Sequence, residues 1–221
     1  MLVPMVGALC YFVFSSGGAL TQVIFAGTKV FNWVFPLLFL SRTGLRGLWK
    51  PVEGLGRTVS MPKSIGMGVV SGVLVSALAF VLLYWTPMGD VVRAGSGNVT
   101  EKLTALGMKE RYLALALFIS FGNSAMEEYY WRWFLYGNLR HHVTTGKAHV
   151  LAAFGFTLHH IVVTLCFFPW PLALFFSFSV GVGGAMWSWM YQRHGTVIGA
   201  WVSHIIIDLA IMWVGYEMVF G

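Results

Sequence analysis

Residues 65–86, IGMGVVSGVLVSALAFVLLYWT, contain no charged side chain and end in Tyr84 and Trp85 ahead of a polar stretch. At 1.5 Å of rise per helical residue, such a run covers the roughly 30 Å hydrocarbon core of a bilayer. Comparable apolar runs occupy 19–40, 111–137, 149–168, 172–191 and 196–219, with a shorter one at 2–15. Soluble domains carry roughly a quarter charged residues; here 10% are charged and 57% are hydrophobic. A chain this poor in polar surface is expected to be an all-α, polytopic transmembrane helical bundle with about seven spans.

The charged residues that remain sit mainly between these runs. Segment 41–64 carries Arg42, Arg46, Lys50, Arg57 and Lys63, 138–148 carries Arg140 and Lys147, and 192–195 carries Arg193. Placing all three on the cytoplasmic side satisfies the positive-inside rule with alternating crossings. The N-terminus is then cytoplasmic and the C-terminus outside. The net charge of +6 is thus a topology signal and not a nucleic-acid face. The opposite loop, 87–110, is polar with charges of both signs, and its sequon Asn98-Val99-Thr100 receives no functional weight. Cys10 and Cys166 lie in apolar segments and read as small core residues. No charged leader or cleavage site opens the sequence, so no signal peptide is expected. The whole of 1–221 reads as one integral membrane domain. Within it, 1–64 supplies N-terminal helices and a basic loop, and 111–219 supplies the core that carries the motifs below.

Three of the apolar runs hold ionisable side chains far from their ends. The first, in MEEYYWRWF, has Glu127, Glu128 and Arg132; the second, in FGFTLHHIV, has His159 and His160; the third, in SHIIID, has His204 and Asp208. Counted as helix, Glu128 lies roughly 18 Å from Arg140, His160 roughly 20 Å from Lys147 and His204 roughly 16 Å from Arg193. All three fall near the middle of the membrane. Intramembrane charges are costly, and they normally face the bundle interior, pair with one another and mark function. Glu128 and Arg132 stand four apart and suit a salt bridge on one face. Glu127, rotated about 100° around the helix, faces something else. His204 and Asp208 share the four-residue relation. A carboxylate and two imidazoles from three helices form a general-base constellation. They equally suit a Zn²⁺ ion with one open position.

Each residue has a plainer reading. Glu128 and Arg132 read first as a structural clamp, and His159 as a core or supporting residue. Arg140, His141, His142, His149, Arg193 and His194 read as loop residues at the headgroup level. Lys29 reads as snorkelling toward the interface, with pairing inside the bundle as the alternative. The aromatic crowd around Arg132 reads as packing. The coincidence of depth across three runs is what exceeds these readings.

The ordered set Glu127-Glu128-x-x-x-Arg132, Phe156-x-x-x-His160 and His204-x-x-x-Asp208 resembles the CPBP (CAAX protease and bacteriocin-processing) family of intramembrane proteases, which includes the type II CAAX prenyl endopeptidases. The resemblance covers 111–219. It implies a helical-bundle endopeptidase with a water-filled cavity open to the cytoplasm. The substrate would be a membrane-anchored protein or peptide cut near its C-terminus or at a leader, and the setting a bacterial inner (cytoplasmic) membrane. By this likeness Glu127 with His160 would activate water, His204 with the residue at 208 would stabilise the oxyanion, and Glu128 and Arg132 would shape the site. The prenyl endopeptidases carry asparagine where this chain has Asp208. An ionised aspartate cannot donate to an oxyanion, so it must be protonated or must hold His204 as the donor. No cofactor is expected, with Zn²⁺ as the alternative; the metal-free form is preferred because no H-E-x-x-H pair fixes two ligands on one helix.

Two other classes compete: a non-proteolytic membrane partner or immunity protein built on the same bundle, and a proton-coupled transporter using the buried acids. A transporter would more often show paired repeats and broken helices, and the sequence displays neither.

Overall fold

The computed structural model describes residues 3–10, 19–39 and 59–221. Most of the basic loop, including Arg42, Arg46, Lys50 and Arg57, lies outside them, as does the end of the first apolar segment. Among the described residues there is no strand. The helices are α1 (Val3–Leu9), α2 (Ala19–Phe39), α3 (Met61–Trp85), α4 (Met88–Arg93), α5 (Ser96–Ala105), α6 (Tyr112–Leu117), α7 (Ser124–Glu127), α8 (Gly137–His142), α9 (Thr145–Leu165), α10 (Trp170–His194) and α11 (Ile198–Phe220). Two π-helical segments, π1 (Phe118–Asn123) and π2 (Glu128–Tyr136), flank α7. Four helices, α3, α9, α10 and α11, are long and apolar enough to cross a membrane. The chain divides into two compact units: Met1–Ser60 with Met126–Val197, and Met61–Ala125 with Ile198–Gly221.

In the first unit α9 and α10 form the principal pair. Lipid gives helices no hydrophobic reason to associate, so close backbone approach through small residues has to serve. Ala173, Ser177, Gly181, Gly184 and Ser188 are buried along α10, and Ala148, Ala152 and Gly155 along α9. A Cβ at Gly181 would strike the Thr157 side chain. Thr164 and Ser177 join their hydroxyls at 2.8 Å. The FPWP turn falls where expected, because α10 opens after Pro169 with that residue extended. Its other end runs further than the sequence suggests. The helix continues through Gln192–His194 and stops at Gly195, whose left-handed φ of 68° forms the C-cap. His194 is therefore a buried helical residue, at 1% exposure, and not a loop residue. His149 likewise sits inside α9, in a triangle with Tyr136 (3.1 Å) and Gln192 (2.8 Å).

The second unit is built on α3 against α11. Ser64, Gly68, Gly72 and Ser76 recur every fourth residue and are the buried face of α3. Opposite them lie Gly199, Ala200 and Ser203. A Cβ at Gly68 would run into the Gly199 carbonyl, and one at Gly72 would sit 2.9 Å from the Ile206 Cβ. Ser71 donates to the Ser203 hydroxyl at 3.1 Å. The expected loop 87–110 contains α4 and α5, and α5 lays Val99 and Leu103 against α11. The polar outer face of α5 hid this amphipathic period within a stretch of low hydropathy.

The run 111–137, expected as one regular helix, alternates between α and π geometry. The Ser124 N–H reaches back five residues to the Ile119 carbonyl, and the Gly137 N–H reaches five back to Arg132, the i→i+5 bonding of a π turn. Beside these turns the Ser124 hydroxyl donates to the Ser120 carbonyl, and the Asn138 amide donates to the Phe134 carbonyl at 2.5 Å.

Candidate active site

The first acidic motif straddles the end of α7 and the start of π2. Eight of the nine residues of π2 are buried, so this segment lies almost wholly inside its unit, with only Leu135 partly exposed. Glu128 is fully buried and Arg132 is 1% exposed. They form the ion pair that the four-residue spacing implies, at 3.0 Å. The guanidinium also lies flat against two aromatic faces, 4.3 Å from the Phe156 ring centre and 4.9 Å from that of Trp187. Weak hydration and a planar cation suit arginine to that slot. Gly184 makes room for it, since a Cβ there would stand 2.9 Å from Phe156 and 3.1 Å from Arg132 Nη2.

Phe156 connects this clamp to the second motif. Its ring meets His160 edge to face with centroids 4.4 Å apart. Its carbonyl accepts from His160 Nδ1 at 2.9 Å. A carbonyl oxygen only accepts, so Nδ1 carries the proton and the neutral ring presents Nε2 as its basic atom. That tautomer suits a general base, and it suits a metal ligand equally. His159 is turned elsewhere, its Nδ1 donating to the Pro4 carbonyl of α1 at 3.1 Å. The two imidazoles meet nearly at right angles, centroids 5.1 Å apart.

Glu127 is 8% exposed and belongs electrostatically to a wider group. It interacts with Arg132 on its own helical run, with His159 on α9 and with Lys29 on α2. The first unit pairs Glu128 with Arg132, sets the Arg132 guanidinium and the His160 imidazole against the Phe156 ring, and couples Glu127 electrostatically to Arg132 and His159. It adds three that the sequence reading left out or set aside. Trp187 and Gly184 belong to the arginine slot, and no motif announces them. Lys29 reads from the sequence as snorkelling or as pairing inside the bundle, and in the structure it couples electrostatically to Glu127.

His204 and Asp208 belong to the second unit. His204 is 5% exposed, and its Nε2 stands 3.6 Å from Asp208 Oδ2. That is ion-pair range for a protonated imidazole and too long for a hydrogen bond. The neighbouring Ser203 is tied to α3. The helix carrying His204 starts at Ile198, so the histidine lies roughly 9 Å along it. The 16 Å counted from Arg193 fails because Gly195 breaks the helix between them. Among the described residues no group of three or more His, Cys, Asp or Glu side chains is spaced to hold a metal ion.

Residues 109–210 match the family described as type II CAAX prenyl endopeptidase Rce1-like. The matched range contains all three motifs and supports the CPBP/CAAX protease family for this chain. It points to a CAAX-type intramembrane protease, and with the four apolar helices to an integral membrane protein. No curated protein and no solved structure matches the chain.

Proposed function

We propose that this protein is an intramembrane endopeptidase of glutamic type, hydrolysing a peptide bond in a membrane-anchored protein. Glu127 and His160 take a proton from water as its oxygen attacks the scissile carbonyl carbon. The tetrahedral intermediate then collapses, the C–N bond breaks, and the same proton passes to the leaving amine. His204 donates to the oxyanion, with Asp208 holding the imidazole in its protonated form. Glu128 and Arg132 fix the helical segment that carries Glu127.

The observation that carries this reading lies within the first unit. His160 is held by its Nδ1 bond to Phe156, and His159 couples electrostatically both to His160 and to the buried Glu127. The roles of His204 and Asp208 rest on the family match and on their place in the motif order. We further propose a bundle of about seven spans, with its basic loops in the cytoplasm and the protein in a bacterial inner membrane.

The test uses purified protein in proteoliposomes with two quenched reporters. One ends in a prenylated cysteine followed by three residues; the other is held by a transmembrane segment. Wild type should cleave at least one, and Glu127→Gln and His160→Ala should cleave neither while eluting as monodisperse protein. Full activity in Glu127→Gln would reject the mechanism. The reporter that is cut identifies the anchor class.

A further inference from the structure

The buried charge group of the first unit does not balance on the motif residues alone. Glu127 and Glu128 are two carboxylates, and Arg132 is one cation already engaged with Glu128 at 3.0 Å. Arg132 also couples to Glu127, and a second cation beside Glu127 would lower the cost of keeping a buried carboxylate ionised. Lys29 stands at the midpoint of α2 (Ala19–Phe39), roughly 15 Å of helix from either end.

The docking of α2 sets the register. Trp33 stacks on Tyr129 at 5.2 Å and accepts from its hydroxyl at 2.9 Å, and Phe35 meets Phe134 edge on at 5.6 Å. These contacts run in the same order along both helices. Lys29 lies one turn before Trp33, and Glu127 two residues before Tyr129, so the two sit at nearly the same level. Lys29 interacts with Glu127 and with His159. Among the described residues, the charged and titratable groups that couple to Glu127 are Arg132 on its own run, His159 on α9 and Lys29 on α2, with Glu128 next to it in the chain and His160 against His159.

We propose that Lys29 is the positioning residue for Glu127: its ammonium balances and orients the Glu127 carboxylate from α2, as Arg132 does for Glu128. The proposal rests on the reading of Glu127 as the base only for its catalytic consequence, and the pairing stands without it.

The test combines kinetics with a double-mutant cycle in proteoliposomes, using the two anchored reporters above. Lys29→Met keeps the stem and removes the charge. It should lower kcat by up to about 10²-fold, the scale of a misplaced reacting group, with KM changed little, and Lys29→Arg should restore most of the loss. In the cycle, Lys29→Met and Glu127→Gln should each lower the thermal midpoint, and the double variant should recover part of it. Wild-type kcat in Lys29→Met, or strictly additive midpoints, would overturn the proposal. Loss of kcat in Lys29→Met that Lys29→Arg does not rescue would also overturn it, since it would mark a packing role. If Glu127→Gln stays active while the midpoints remain coupled, the base assignment fails and the pair survives.

Discussion

Replacing Arg132 with methionine leaves the Glu128 carboxylate in a fully buried position without its ion-pair partner at 3.0 Å. Removing one member of a buried pair costs about 3–5 kcal/mol, because the remaining charge has neither water nor a counter-ion. The slot adds to this. The guanidinium faces Phe156 at 4.3 Å and Trp187 at 4.9 Å, and a desolvated cation–π contact is worth about 2 kcal/mol. Methionine refills much of the volume but none of the charge, so the loss belongs at the upper end of that range. For a chain of this length, each kcal/mol moves the midpoint by roughly 2–4 °C, which gives a fall of about 10–20 °C. The chain's ten tryptophans make intrinsic fluorescence in detergent a direct assay. Glu128→Met with Arg132→Met removes both charges, and replacing buried pairs by apolar residues is often neutral or better. The double variant should recover most of the midpoint and none of the proteolysis. If Arg132→Met melts with wild type, or the double variant melts no higher than the single, the clamp does not hold the fold together.

Gly184→Ala should destabilise by about 1–3 kcal/mol through overpacking, since its Cβ would press on Phe156 and on Arg132 Nη2. It should also lower kcat, because Phe156 holds His160, and a variant with normal melting and normal kcat would separate the slot from the histidine. Chelators should leave cleavage intact if Glu127 and His160 act on water directly. Activity that o-phenanthroline abolishes and Zn²⁺ restores would instead assign the same residues to a metal.

Much of the first unit's charge group could be read from one sequence because intramembrane charge is informative by its cost. Glu127, Glu128 and Arg132 stood out against an apolar background, and the i,i+4 rule paired the last two before any coordinate. The phenylalanine of Phe156-x-x-x-His160 was legible only as a motif letter. Its work, one face against the guanidinium and its carbonyl on the imidazole, depends on packing across helices that no local pattern encodes. The small-residue face Ser64, Gly68, Gly72 and Ser76 was visible at its four-residue spacing. It was passed over because hydropathy registers how apolar a helix is and not where another backbone can approach.

Lys29 shows the deeper reason for what was missed. Scanned along the chain, a lone lysine in an apolar run has two indistinguishable explanations, a long stem reaching the interface or a partner inside. Only a charge count over the folded neighbourhood separates them, and that count needs to know which carboxylates Arg132 already serves. The π segments are hidden as well. The backbone bonds one residue further back at Ser124 and at Gly137, on both sides of Glu127, and neither composition nor period announces it. Wide turns of this kind occur often at functional sites. A sequence therefore reveals which charges must be buried, while the cation that balances them and the turn that aims them emerge only when the helices are packed.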